Sequence, residues 1–205
     1  MRIDSHHSSS ERYPLEHLKR ILARNRFDGS IAVVREAVPL WHILWAGAEG
    51  KDDPWCRGLW TRVPDVTPRI LEAVAGRSLD LDVEAGSLRD ACEIAAAHPE
   101  IAVVLQAGRI SGEAEFTALA RVPNLYVKAA GVLPRETVRL ALEAFGPSRM
   151  MFGSNWPAGL PEVTWKATLA AFTQAIGAQP VEVREELLGG TAARVYRLAP
   201  AGAGA

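Results

Sequence analysis

The residues best placed to do chemistry fall on, or at the ends of, short apolar runs. His6 stands near the end of Arg2–Ser8 and carries an imidazole that can take or give a proton near neutral pH. Leu79-Asp80-Leu81-Asp82-Val83-Glu84 alternates, so its three carboxylates share one face of a strand. Acids converging on an interior repel one another and raise at least one pKa, which is what general acid–base work requires. Glu84, nearest the carboxyl end, is the candidate base; on an exposed edge strand the same face would simply be solvated. Lys128, inside Leu125-Tyr126-Val127-Lys128-Ala129, is a candidate partner for Asp82 or for an anionic substrate, with a purely structural ion pair as its other reading. In Gly58-Leu59-Trp60-Thr61-Arg62-Val63, Trp60 and Arg62 share a face. That pair suits a carboxylate-bearing ring, through stacking and a forked hydrogen bond, with simple packing as the alternative.

A further run, Met150-Met151-Phe152, ends in Gly153-Ser154-Asn155-Trp156-Pro157, where Gly153 and Pro157 bracket a turn. Active-site residues of α/β folds sit at such carboxyl ends. Asn155 carries an amide, which orients a substrate but does not accept a proton near pH 7. Trp156 is a candidate pocket wall.

These groups need a frame, and the chain supplies one. Eight candidate strands, Arg2–Ser8, Ser30–Arg35, His42–Ala46, Gly58–Val63, Leu79–Glu84, Ile101–Gln106, Leu125–Ala130 and Arg149–Ser154, are interleaved with helical patterns. Leu15, Leu18, Ile21 and Leu22 make one apolar helix face after Pro14; Val138, Leu142 and Phe145 make another after Pro134; Trp165, Leu169, Phe172 and Ile176 a third. Each proline is expected at the first helical position, where a missing N–H costs nothing. Between residues 36 and 64 no helical period is visible, only prolines and glycines among tryptophans. The expectation is an abbreviated or distorted (β/α)8 TIM-like barrel with short or missing helices there, since the usual size is roughly 250 residues and this chain has 205. Residues 1–198 are expected to form a single domain and 199–205, Ala- and Gly-rich, a disordered tail.

Composition narrows the partners. A formal net charge of -1 with both signs interspersed leaves no basic stripe for nucleic acid. No run nears the roughly 18 apolar residues that span a bilayer, and no secretory leader is visible, so a soluble, cytoplasmic protein with a small-molecule substrate is expected. The Trp-rich segment 41–60 offers a contact surface for a homo-oligomer. Thr191 reads as a helix N-cap.

Four segments in order resemble the amidohydrolase-related (amidohydrolase 2) family of lactonase-like TIM-barrel hydrolases: Ile3-Asp4-Ser5-His6-His7-Ser8, Asn124-Leu125-Tyr126-Val127-Lys128, Phe145 to Pro157, and Leu188-Gly189-Gly190-Thr191-Ala192-Ala193-Arg194-Val195-Tyr196. The resemblance implies two histidines on the first strand, one on a middle strand and an Asp on the last, around a divalent metal or in a metal-free pocket. Here His6 holds the first place, Ser8 the second, Gln106 and Ala107 stand where the middle His is expected, and Asn155 replaces the Asp. His7 has the opposite parity and points away unless the strand is bulged. General-base catalysis contributes about 10²–10⁴-fold, so the family's mechanism is weakened and a tightly bound metal such as zinc is disfavoured.

The resulting expectation is a protein that acts on or binds a small carboxylated or lactone-type molecule, using His6, Glu84 and Asn155, with Arg62, Trp60, Asp82, Lys128, Gln106 and Trp156 toward the substrate and no cofactor. The alternatives are an inactive pseudoenzyme serving in binding, and a metal-free lyase, isomerase or cyclase on the same barrel.

Overall fold

The structure, a computed structural model, describes residues 1–8, 12–36, 41–46, 48–50, 52–74, 77–82 and 88–198. Eight strands are present: Ile3–His7 (β1), Gly29–Val34 (β2), His42–Trp45 (β3), Cys56–Arg62 (β4), Ser78–Asp82 (β5), Ala102–Gln106 (β6), Leu125–Ala130 (β7) and Met150–Gly153 (β8). They form one parallel sheet in the order β1 to β8. The sheet curls until its first and last strands meet: the Asn155 N–H donates to the His6 carbonyl at 2.8 Å, the Ser8 N–H donates to the Trp156 carbonyl at 2.8 Å, and His7 bridges Trp156. Gly153 makes the approach feasible, since a Cβ there would lie 2.8 Å from Cβ of His6.

Both faces of the sheet are buried, which is why its strands read as continuous apolar runs. Val103, Leu105, Val127 and Phe152 face an outer layer of helices, while Ile3, Ile31, Ile43, Val104 and Met151 line the inside of the curl. The helices are Leu15–Arg24 (α1), Pro68–Ala73 (α2), Leu88–Ala97 (α3), Gly112–Ala120 (α4), Arg135–Phe145 (α5), Trp165–Ile176 (α6), Val181–Glu185 (α7) and Thr191–Val195 (α8). α1, α5 and α6 bury the residues whose period marked them, including Leu18, Leu22, Val138, Phe145, Trp165 and Phe172. Pro14 and Pro134 stand one position earlier than expected, at the N-cap. Val195, Tyr196 and Leu198 from the end of the chain fill the interior from its amino-terminal side. Gly189 lets them in, because a Cβ there would meet the Arg2 backbone at 2.7 Å.

Among the described residues no helix lies between β2 and β3 or between β3 and β4, and α2, after β4, has six residues. No described helix is long and apolar enough to cross a membrane. Thr191 departs from its expected role: it is buried inside α8, and its hydroxyl donates to the Pro147 carbonyl at 2.7 Å. The tail 199–205 lies outside the described residues.

Candidate functional site

A pocket of about 800 Å³ opens at the carboxyl ends of the strands. Its wall comes from several of them: His6 from β1, Val33 and Val34 from β2, Trp45 from β3, Trp60 from β4, Gln106 from β6 and Ala130 from β7. Ser8, Arg35, Glu36, Gly108, Arg109 and Asn155 follow strand ends and complete it.

His6 reaches this pocket because β1 is irregular. Register runs Ile3 to Gly29 and Asp4 to Ser30, then jumps to His7 opposite Ala32, so a bulge breaks simple alternation. The ring of His6 keeps Nδ1 buried without a hydrogen bond. Burial foremost, then the Lys128 ammonium and His7, push its pKa well below the usual imidazole value, leaving a neutral ring through the neutral range. His7 is fully buried, and desolvation takes its pKa down to about 4 against the opposing pull of the Ile31 backbone.

Asn155 sits beside His6 through the backbone hydrogen bond that joins β1 to the turn after β8. Its φ of 54° lies in the left-handed region that Asn tolerates better than most residues. The turn is anchored from below by Asp4. Asp4 is buried and accepts from the Ser154 N–H at 2.8 Å, the Trp165 indole at 2.7 Å and the His6 N–H at 3.3 Å. Burial raises its pKa, and these donors pull in the opposite direction.

Lys128 lies beneath the pocket. It is 1% exposed and donates to Asp80 at 2.6 Å; the Tyr196 hydroxyl donates to both Asp80 oxygens at 3.2 and 3.0 Å. Asp80 is on a central strand, which overturns the reading of that position as part of a solvated edge. Glu84 and the Asp82 side chain lie outside the described residues.

Of the remaining expected residues, Trp60 and Gln106 line the pocket. Arg62 does not; it pairs with Asp65 at 2.7 Å in a neighbouring cavity. Trp156 is buried against Tyr13 with ring centroids 6.0 Å apart and is not part of this pocket's wall. The sequence reading missed Arg35, whose guanidinium lies 4.2 Å over the Trp45 ring, and also Glu36, Trp45 and Arg109. Trp45 packs on Trp60 at 4.0 Å, a contact set by their register pairing across β3 and β4. The usable signal was position: each of the four ends a strand or lies within three residues of one.

A profile of the Amidohydrolase family, Amidohydro_2, matches residues 12–198. The chain belongs to this amidohydrolase family. Solved structures agree at the level of fold. An amidohydrolase from Burkholderia multivorans with bound zinc is 21% identical, with 97% of this chain and 100% of that chain covered and a TM-score of 0.79. Amidohydrolase 2 from Bifidobacterium longum subsp. infantis is 19% identical over 97% and 99% of the two chains, with a TM-score of 0.76. An inferred 2-pyrone-4,6-dicarboxylic acid hydrolase from Pseudomonas putida is 18% identical over 96% and 97%, with a TM-score of 0.72. Among curated proteins, no sequence match is found.

The donor set bears on the zinc of the Burkholderia protein. A zinc site takes three or four imidazole, thiolate or carboxylate ligands. Among the described pocket residues only His6 and Glu36 offer such groups, and two arginines stand with them. No group of three or more His, Cys, Asp or Glu is gathered anywhere among the described residues. The described pocket residues thus offer a divalent ion two ligands, and their guanidinium groups and amide donors can receive an anion.

Proposed function

We propose that this amidohydrolase-family chain takes a small carboxylated or lactone-type molecule into the pocket and acts on it without a resident metal ion, on a distorted (β/α)8 barrel spanning residues 1–198. The observation that carries the reading is the composition of the pocket: a neutral imidazole, two amides and two guanidinium groups around stacked indoles at the carboxyl ends of the strands.

Arg35 and Arg109 hold the carboxylate, and the Trp45 and Trp60 rings receive the flat part of the molecule. His6 takes a proton from water as the water oxygen adds to the lactone carbonyl carbon. The Asn155 and Gln106 amides donate to the carbonyl oxygen as it gains charge. The ring C–O bond then breaks, and the imidazolium returns its proton to the departing oxygen. A bound carboxylate beside His6 pulls its pKa back up toward the working range, so the base is strengthened by the substrate it serves. Glu84 is the further candidate base in this scheme.

The test is hydrolysis of an aromatic lactone such as dihydrocoumarin, and of pyrone carboxylates, by protein dialysed against chelator. Turnover that survives chelation and is lost in His6→Ala supports the reading; turnover that appears only with added zinc, or that is unchanged in His6→Ala, overturns it. A binding-only role is the second reading, favoured by the exposed amide at Asn155 where the family resemblance implies a carboxylate. It predicts saturable binding of the same molecules with no product.

A further inference from the structure

A smaller chamber of about 210 Å³ adjoins the pocket at Asn155. It is bounded by the loop after β7, the loop that joins β8 to α6, and α6 itself. The partition between the two spaces is thin. Ala130, the last residue of β7, lines the first pocket, Gly131 lines the chamber, and Asn155 borders both. Gly131 has a φ of 80°, and a Cβ there would lie 3.6 Å from the Asn155 Cβ and 3.7 Å from its amide nitrogen. Glycine both accepts this backbone conformation and keeps that side of Asn155 clear of a side chain.

Chemistry changes across the partition. Val132, Ala158, Val163 and Trp156 bring hydrocarbon and an indole to the chamber wall. Three of its polar side chains are already engaged: Ser154 Oγ accepts from the Trp156 N–H at 3.0 Å, the Thr168 hydroxyl donates to the Thr164 carbonyl at 3.3 Å, and the Trp165 indole donates to Asp4 at 2.7 Å. A held water needs about two to four polar partners, which groups paired in this way do not supply, whereas a hydrocarbon group needs none. Size narrows the occupant further. Sites for whole small molecules run from about 300 Å³ upward, so a chamber of 210 Å³ suits a side group of a molecule whose body lies in the first pocket.

We propose that this chamber is a specificity pocket for a short alkyl group carried on the carbon next to the lactone carbonyl. The assignment rests on the function proposed above, which sets that carbonyl oxygen at the Asn155 amide. A group on the neighbouring carbon is then the one that passes Asn155 toward Val132 and Ala158. The substrate class narrows to carboxylated lactones with an alkyl branch beside the carbonyl, and the residues that select the branch are those of the two loops, not those that hold the carboxylate.

The test is calorimetric titration of the whole chain with two stable ligands: the lactam counterpart of dihydrocoumarin bearing a ring carboxylate, and the same compound with a propyl group on the carbon next to its carbonyl, resolved into its enantiomers. Each buried methylene contributes about fourfold to binding. Val132 is 51% exposed and leaves the chamber open on one side. The expected result is therefore about tenfold tighter binding of one propyl enantiomer than of the parent acid, a difference of about 1.4 kcal/mol. Ala158→Trp and, from the other loop, Val132→Trp fill the chamber and lie outside the first pocket; each removes the gain and leaves the affinity of the parent acid unchanged. Equal affinity of parent and propyl compounds, or a gain that survives both fillings, overturns the alkyl chamber while the first pocket stands. Failure of all these ligands to bind overturns the chamber and the proposed function together.

Discussion

Beneath the pocket, Lys128 donates to Asp80 at 2.6 Å and Tyr196 donates to both oxygens of the same carboxylate. At the mouth, Nδ1 of His6 is buried without a hydrogen bond and Asn155 holds a positive φ with its side chain exposed. Both regions put ionisable groups inside the same curled sheet. The lower set completes itself with its own partners, as a buried ion pair must if it is not to destabilise the fold. In the upper set, Nδ1 of His6 has no such partner among the described residues, and the ring borders open volume. Unfilled polar capacity beside a cavity points to a ligand; the same residue types paired and dry point to structure.

The largest expected effect comes from breaking the lower set. Lys128→Met leaves Asp80 buried without its counter-charge, and urea denaturation should show a loss of about 3–5 kcal/mol. The double variant Lys128→Met with Asp80→Leu should recover most of that, since it removes both charges. A Lys128→Met protein as stable as the wild type would mean that the two regions are not built differently.

Next is an acid dependence on the mouth side of β1. The folded pKa of His7 is about 4, against 6.5 for a free imidazole. Between those values the unfolded chain binds the proton and the folded one does not, so stability falls as pH drops from about 6.5 to about 4 and is fully present above that window. The size is on the order of 3 kcal/mol, from roughly 1.4 kcal/mol per pKa unit. His6, shifted in the same direction, adds to the trend. Denaturation midpoints of wild type and His7→Leu, measured across this range, should diverge in their slopes; parallel curves would show that His7 is not held neutral.

Much of the frame was legible because period and punctuation are local. β7 matches its expected bounds residue for residue, and the other strands, over their described residues, agree to within about two positions at either end. The bare stretch between β2 and β4 was visible as an absence of helical period, and the described residues hold no helix there. The site was legible only in part. His6 and Asn155, expected from strand ends, Trp60, expected from the face it shares with Arg62, and Gln106, placed by the family resemblance, line one pocket. Arg62 and Trp156 lie outside that pocket, because alternation gives the face of a strand but not the reach of a long side chain or the path of a turn. The anchoring role of Asp4 was not legible because two of its three donors, the Ser154 N–H after β8 and the Trp165 indole on α6, lie 150 and 161 residues away, a distance that no local pattern encodes. The β1 bulge, named as the condition for His7 to change sides, depends on pairing between β1 and β2 that sequence spacing does not reveal.

A smaller effect is expected at the anchor between the two regions. Trp165→Phe keeps the aromatic packing against Phe27 and Phe152 but removes the indole donor to Asp4. One lost hydrogen bond to a buried carboxylate should cost about 1–3 kcal/mol, and the Ser154–Asn155 turn should exchange its amide hydrogens faster. An unchanged exchange rate there would detach Asp4 from the placing of Asn155.

The smallest stability effect should come from the mouth itself. Arg35 stacks on an indole at the rim, where replacement by alanine should change unfolding free energy by no more than about 0.5 kcal/mol. Binding should respond very differently. Removing a guanidinium that forks onto a carboxylate costs on the order of 1.5–3 kcal/mol, a weakening of roughly tenfold to a hundredfold. The comparison between the two regions therefore reduces to a ratio: Lys128→Met should be costly to the fold, whereas Arg35→Ala should be costly to the ligand and nearly silent in denaturation. If Arg35→Ala instead lowers stability as much as Lys128→Met does while carboxylate binding persists, the rim arginine is a structural group resting on Trp45, and the anion is held elsewhere.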